Sequence, residues 1–148
     1  MSGGLHAIAH RLGWVLVFAL AACSGDATTP RCAGCGMLVA SDSGWRAGAR
    51  DASGAELAFD APKCLFRYQL AHPGTEDAWV IEYYGQTRQR ADEVLYVIGS
   101  DLEGPMGPDL VPVRDRAEAE RLLTDHRGDA ILEVADVDRA RVDGLFVH

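Results

Sequence analysis

The stretch Leu110–Val134, LVPVRDRAEAERLLTDHRGDAILEV, places a strand, a helix and a second strand in immediate succession. The first strand is predicted from the short apolar run Leu110–Val113. Asp115 and Glu118, three residues apart, have the form of a capping box, which indicates the start of a helix. Ala130–Val134 is again apolar and predicts the closing strand. This alternation within 25 residues favours a fold that mixes strands and helices.

The first half of the chain has the same order of elements. Trp45–Arg50 and Ala55–Phe59 predict two short strands joined by a turn rich in small and polar residues. Asp60 is predicted to cap a helix that starts at Pro62, because proline is favoured in the first turn. Ala78–Tyr84 then predicts a further strand.

Two related units follow from this order. When Phe59 is laid on Val113 the predicted helices also superpose, and Val94–Gly99 predicts the first strand of the second unit. We therefore expect an α+β fold of two small strand–strand–helix–strand units. Each unit alone would have a marginal core, so we expect them to pack together. The predicted domain spans residues 32–138, with units at about 32–85 and 90–138, and residues 139–148 form a C-terminal tail.

Composition and charge exclude several classes of protein. The 148 residues are 48% hydrophobic and 24% charged, which is typical of a globular domain. The formal net charge is −8, and Lys63 is the one lysine of the sequence. No basic cluster faces an aromatic platform, so we expect no nucleic-acid partner.

The N-terminal segment has the pattern of an export signal. The apolar run Leu12–Ala22 is too short for a membrane-spanning helix and suits the core of a signal peptide. It ends in Leu-Ala-Ala-Cys23, which resembles the lipobox of bacterial lipoproteins, where the cysteine becomes acylated. We expect residues 1–22 to be a lipoprotein signal peptide and residues 23–31 a lipidated tether.

An acylated Cys23 would determine where the protein acts. Several acyl chains give durable anchoring, because each buried methylene contributes about 0.8 kcal/mol. We therefore expect the periplasmic or cell-surface face of a bacterial membrane, with Ser24 favouring the outer membrane.

If Cys23 is lipidated, three cysteines remain with free thiols: Cys32, Cys35 and Cys64. Outside the cytoplasm, unpaired thiols tend to be oxidised or used. The Cys32-x-x-Cys35 spacing alone suits a redox pair, half of a zinc site or a structural clip. Cys64 lies in the first turn of the predicted helix, where the helix dipole favours the thiolate.

Two methionines indicate a further possibility for these cysteines. Met37 and Met106 each lie beside glycine in a turn, whereas methionine normally fills gaps in a core. Thiolate and thioether sulfurs are soft donors that select Cu(I). The sequence therefore predicts a Cu(I) site at Cys35, Met37 and Met106, with Cys32 and Cys64 as secondary candidates.

Four motifs in a fixed order resemble the NosL family, the lipoprotein accessory proteins of nitrous oxide reductase. They are Cys35-Gly36-Met37, Phe59-Asp60 with Cys64-Leu65, Leu95–Ser100, and Gly104-Pro105-Met106-Gly107 with Val111-Pro112-Val113. The resemblance covers about residues 30–135. It implies paired strand–strand–helix–strand units, Cu(I) binding and delivery of copper to a client enzyme, but it does not identify the partner that supplies the copper. The copper ligands that the resemblance implies are Cys35, Met37 and Met106.

Two cysteines depart from the NosL pattern and bear on which enzyme receives the copper. The additional Cys32 is not required by the Cys-x-Met motif, and Cys64 is found in some relatives only. Such a chain serves either nitrous oxide reductase or a related copper enzyme.

Two other functions fit parts of the sequence. A thiol–disulfide oxidoreductase would use Cys32 and Cys35, but a thioredoxin-type pair opens a helix. A structural zinc module would use all three cysteines and a histidine, leaving both methionines unexplained. His72 and His126 end the two predicted helices, where an imidazolium is favourable. The prediction is a copper chaperone and not an enzyme.

Overall fold

The computed structural model describes residues 29–147. The predicted signal peptide, Cys23 and most of the tether lie outside the described residues. No helix in the described part is long and apolar enough to cross a membrane.

The first unit has four strands and one helix. In chain order these are β1 (Ala47–Arg50), β2 (Glu56–Phe59), α1 (Pro62–Ala71), β3 (Glu76–Ile81) and β4 (Arg88–Arg90). The antiparallel sheet has the order β2-β1-β3-β4. The predicted strand–strand–helix–strand order is confirmed, and β4 extends it at the edge of the sheet.

The second unit repeats this topology around β5. Its elements are β5 (Leu95–Ile98), β6 (Glu103–Gly104), β7 (Gly107–Pro108), β8 (Val111–Val113), α2 (Arg116–His126) and β9 (Ala130–Leu132). Its main sheet is antiparallel with the order β8-β5-β9, while β6 and β7 form a separate small hairpin. In each unit the first strand lies between the second strand and the strand that follows the helix.

The start of α2 follows local sequence signals, whereas the start of α1 does not. Asp115 is the N-cap of α2, and its carboxylate accepts a hydrogen bond from Glu118 N at 2.9 Å, as predicted. The prediction of Asp60 as the cap of α1 is wrong, because the N-cap is Ala61 and makes no side-chain cap. A helix with Pro62 at its first position places Asp60 one residue too early to cap it.

A residue from the second unit caps α1 instead. Asp109 accepts a hydrogen bond from Lys63 N at 2.8 Å, across 46 residues of sequence. The Lys63 ammonium donates to the carbonyl oxygens of Met106 (2.7 Å), Pro108 (2.9 Å) and Leu145 (3.2 Å). Lys63 is fully buried, and these three bonds use every proton of its ammonium group.

The hydrophobic core joins the two units. Phe66 of α1 packs edge-on against Tyr96 of β5, with ring centroids 5.0 Å apart. One cluster of buried side chains contains residues from both units: Phe59, Leu65, Phe66, Tyr96, Leu110 and Leu132. A second cluster lies between α2 and its sheet. The expectation that the units pack together is confirmed.

The segment predicted as a C-terminal tail contains a helix. After a short 3₁₀ turn (Val134–Asp136), α3 covers Arg139–Gly144. Asp138 caps α3 by accepting from Arg141 N, and Val142 is fully buried in the cluster shared by both units. Burial of this apolar side chain holds the segment against the domain.

Candidate metal centre

A tight turn carries the first two cysteines. Cys32 N donates to Met37 O at 2.7 Å, and Gly36 N donates to Cys32 O at 2.8 Å. Gly36 has a φ of +81°, a conformation that a side chain would disfavour. Ala33 N donates to Ala58 O at 2.8 Å, which attaches the turn to β2. The turn is therefore closed on itself and fixed to the first sheet.

Two further side chains near the cysteine turn, Asp60 and Cys64, follow β2 along the chain. Asp60 comes directly after β2, and Cys64 lies in the first turn of α1. Gly34 packs closely on this helix, since a Cβ at residue 34 would lie 3.1 Å from Cys64 O. Only glycine lets the cysteine turn approach α1 to this distance.

Four side chains converge where the turn meets α1. One ligand atom from each of Cys32, Cys35, Asp60 and Cys64 lies within 4.8 Å of the other three. Cys32 (3% exposed), Asp60 (3%) and Cys64 (1%) are buried, whereas Cys35 faces solvent. Cys35 Sγ donates to Asp60 Oδ1 at 3.5 Å, and Asp60 Oδ2 has no hydrogen-bond partner. We call this group the cysteine cluster.

The thiols influence one another's protonation. A hydrogen bond from the Cys64 thiol lowers the pKa of Cys32, and the same contact raises the pKa of Cys64. Burial raises the pKa of Cys35 to about 11. At Cys64 this hydrogen bond and burial raise the pKa and so oppose the effect of the helix dipole, which favours the thiolate. Metal binding at this cluster must therefore release protons.

The donor set suits a soft metal ion. Three sulfurs select Cu(I) or Zn(II), and the carboxylate adds one harder oxygen donor. Among residues 29–147 this is the one group of three or more cysteine, histidine or acidic side chains close enough to share an ion. A histidine ligand was expected for the zinc alternative, but no histidine belongs to the group.

The two histidines within residues 29–147 are engaged elsewhere. His72 ends α1, and its Nδ1 lies 2.9 Å from Tyr68 O. His126 ends α2, where Nδ1 lies 3.0 Å from Asp101 Oδ1 and Nε2 lies 3.3 Å from the Tyr83 hydroxyl. Their predicted place at the ends of the helices is confirmed.

The two methionines lie in turns, as the sequence indicates. Met37 closes the cysteine turn and is 42% exposed. Met106 lies between β6 and β7, and its half-buried side chain packs on the core cluster that includes Cys32 and Cys64. Its carbonyl accepts from Lys63, which directly precedes Cys64, so the β6–β7 turn lies against the start of α1. Ligation by Met37 and Met106 stays a prediction.

Asp60 is the member of the cluster that sequence reasoning missed. Its position suggested a helix cap, although Pro62 places the cap at Ala61. Had that offset been applied, Asp60 would have been left without a capping role between two cysteine-bearing segments. The Cys32–Cys35 pair also lies in a turn and opens no helix, unlike a thioredoxin-type pair.

An open groove leads to the cluster from solvent. It has a volume of about 460 Å³ and is lined by Ala33, Gly34, Cys64, Arg67, Tyr68 and Phe146, among others. The mostly buried cysteine cluster is therefore approached from solvent at Cys35 and along this groove at Cys64.

Fold and cluster together define a small α+β domain of two like units that carries a thiol-rich group able to hold a metal ion. The chain belongs to the NosL family, whose family model matches residues 27–142. The crystal structure of the copper chaperone NosL from Shewanella denitrificans is similar, with a TM-score of 0.69. The sequences are 18% identical, and the match covers 76% of this chain and 92% of that chain. No curated protein sequence matches this chain significantly.

Proposed function

We propose that this chain is a Cu(I) chaperone that is tethered to a membrane outside the cytoplasm and acts as a carrier, not as an enzyme. The observation that carries the proposal is the convergence of three cysteine sulfurs and one carboxylate within 4.8 Å. Membership of the NosL family and the fold shared with a copper chaperone support it.

Exposure differs within the cluster in a way that suits ion transfer. Cys35 faces solvent and is the first ligand that an incoming or departing ion meets. Met37 follows two residues later in the same turn, and the Met106 turn is held against α1 by Lys63. Cu(I) accepts two or three soft donors, so thiolate and thioether groups can be exchanged one at a time with those of a client.

The client in this proposal is nitrous oxide reductase or a related copper enzyme. The four motifs that resemble the NosL family support this choice, and Cys32 and Cys64 are what could distinguish a related client. Copper uptake by the apo client, measured with the loaded chain as sole copper source, tests it.

The ligand set is tested by Met37→Leu and Met106→Leu. Leucine nearly conserves volume and apolarity, so a packing role predicts little change in stability or binding. A ligand role predicts folded variants with weaker Cu(I) binding and unchanged apo stability. A competition titration with a Cu(I) chelator measures this, and parental affinity in Met106→Leu would limit the site to the cysteine cluster and its turn.

Identity of the metal is tested separately. The reduced chain, offered equimolar Cu(I) and Zn(II), should retain about one equivalent of copper. Preferential retention of zinc would favour a structural zinc module with Cys32, Cys35, Cys64 and Asp60 as ligands.

Membrane attachment is tested at Cys23. The Leu-Ala-Ala-Cys ending of the apolar run supports acylation there. Cells that express the chain and are fed labelled fatty acid should label the parent and leave Cys23→Ala unlabelled. Label retained by the variant would contradict a lipid anchor at this residue.

A further inference from the structure

Cys32 and Cys64 form a buried pair of thiols within the cysteine cluster. Both are almost fully buried, at 3% and 1% exposure, and both are free thiols. They come from two elements, the cysteine turn and the first turn of α1. The primary Cu(I) ligands proposed above are Cys35 and the two methionines, so Cys32 and Cys64 are secondary candidates that can also take another role.

The two buried thiols are within reach of each other, since the Cys64 thiol contacts Cys32 and all three sulfurs of the cluster lie within 4.8 Å of one another. Cys35 differs from them because it is exposed and its Sγ donates to Asp60 Oδ1 at 3.5 Å. The Cys32 and Cys64 sulfurs lie within 4.8 Å, so side-chain rotation and a small backbone adjustment would bring them to the disulfide distance of about 2.0 Å. The turn's own hydrogen bonds, meanwhile, hold Cys35 at the solvent-facing side.

An oxygen donor, the Asp60 carboxylate, lies beside this pair of thiols. Asp60 Oδ2 is buried and has no hydrogen-bond partner, and Oδ1 contacts the Cys35 thiol. Carboxylate oxygens suit Cu(II), whereas sulfur ligands suit Cu(I). A cupric ion that enters at Cys35 therefore meets an oxygen donor within a few ångströms of two oxidisable thiols.

We propose that Cys32 and Cys64 reduce incoming Cu(II) to Cu(I), the oxidation state that the chaperone proposed above would carry. Two cupric ions each accept one electron. The Cys32 and Cys64 thiols together lose two electrons and two protons, the protons pass to water, and one S–S bond forms. An external dithiol reopens this bond by thiol–disulfide exchange. The inference rests on the proposed function in that it takes Cys35 as the point where copper binds.

The experiment uses the full chain with Cys23→Ser, so that the three remaining thiols are those of the cluster. The reduced protein is mixed anaerobically with cupric sulfate, and Cu(I) is followed with a colorimetric Cu(I) chelator. We expect two Cu(I) and the loss of two thiols per chain. Trypsin should then release a non-reduced peptide that links residues 32–46 to residues 64–67.

Single variants identify the pair. Cys32→Ser and Cys64→Ser should each form Cu(I) at least tenfold more slowly than the parent, with no linked peptide. Cys64→Ala gives a second test of the buried position, and circular dichroism checks that each variant is folded. In Cys35→Ser the linked peptide can join only Cys32 and Cys64; it is expected to form, but more slowly than in the parent, because the entry ligand for copper is lost.

Two results would overturn the inference. One is a Cys32–Cys35 disulfide in the parent, seen as a free residue 64–67 peptide that still carries its thiol. The other is parental reduction rate in Cys64→Ser. Supplying Cu(I) directly separates this inference from the proposed function. Tight Cu(I) binding without reduction of Cu(II) leaves the chaperone proposal standing, and reduction without retention of Cu(I) contradicts the chaperone proposal alone.

Discussion

At the scale of single residues, proton release decides how the cysteine cluster responds to pH. Burial raises the pKa of Cys35 to about 11, so this thiol is protonated in the metal-free chain at neutral pH. A bound soft metal requires the thiolate. A soft metal ion bound at Cys35 would therefore compete with the proton across the whole neutral range.

We predict that Cys35→Ser weakens Cu(I) binding more than either methionine substitution does, because the thiolate supplies charge as well as a soft donor. In the parent, Cu(I) affinity should rise steadily from pH 6 to pH 9, and the variant should show a shallower rise. Chelator competition at several pH values measures both. An unchanged slope in Cys35→Ser would mean that the competing proton resides on another thiol.

The cysteines of the cluster could be singled out from the sequence, but Asp60 could not. Cys32, Cys35 and Cys64 are chemically distinctive wherever they lie. An aspartate before a helix has a common structural role, and its proximity to Cys35 results from how the turn attaches to β2 through Ala33. That attachment is a tertiary contact without a local sequence signal.

At the scale of elements, the cluster depends on the close approach of the cysteine turn to α1. Gly34 lies against the backbone of Cys64, where an added Cβ would be 3.1 Å from Cys64 O and 3.3 Å from Cys64 Cβ. Neither contact is with a flexible side-chain end, so one of the two segments has to move.

We predict that Gly34→Ala lowers Cu(I) affinity by about tenfold, a change of about 1.4 kcal/mol, because the turn is displaced from Cys64. Gly144→Ala is the matched control, since an added Cβ there meets nothing within 4 Å and α3 favours alanine over glycine. The control should keep parental affinity and equal or higher thermal stability. Equal affinities for the two variants would show that the turn does not need this approach.

Elements with local signals were predictable, and elements held by tertiary contacts were not. α2 was predicted because Asp115 and Glu118 lie three residues apart at its start. The helix α3 was missed because its six residues are too few to show a periodic pattern, and burial of Val142 holds it in place. The edge strand β4, Arg-Gln-Arg, has no apolar residue and forms by pairing with β3.

At the scale of the whole molecule, Lys63 and Asp109 join the two units. Asp109 accepts from Lys63 N, and the Lys63 ammonium reaches carbonyls of the β6–β7 hairpin and of Leu145 beyond α3. Without this lysine, three carbonyl oxygens at the junction would lose a charged donor. A buried polar group that lacks a hydrogen-bond partner lowers the free energy of unfolding.

We predict that Lys63→Met lowers the free energy of unfolding by roughly 1–3 kcal/mol, the range for leaving buried acceptors without their donor. Arg67→Met on the same helix is the matched control, because its ion pair with Asp143 is exposed and should contribute at most about 1 kcal/mol. Urea unfolding measures both, and similar losses in the two variants would contradict a joining role for Lys63.

Asp109 gives this junction a pH dependence. Burial raises the pKa of Asp109 to about 7, above its value in an unfolded chain. The folded chain thus holds a proton that the unfolded chain releases, and this group's contribution to stability falls as pH rises from about 4 to about 7, by at most about 1.4 kcal/mol per pH unit. Asp109→Asn keeps an oxygen acceptor for Lys63 N but has no proton to lose. Urea unfolding of this variant should show a free energy of unfolding that changes less with pH over this interval. A pH profile equal to that of the parent would assign the pH dependence to other groups.

The bond between Lys63 and Leu145 spans 82 residues, so it has a consequence for the order in which the molecule is completed as it is made. A growing chain emerges from its N-terminus, so the acceptors of the Lys63 ammonium become available in sequence, first the Met106 and Pro108 carbonyls and only at the end the Leu145 carbonyl. We therefore expect the surroundings of Lys63, which directly precedes Cys64, to be completed last, although every member of the cysteine cluster is synthesised in the first half of the chain.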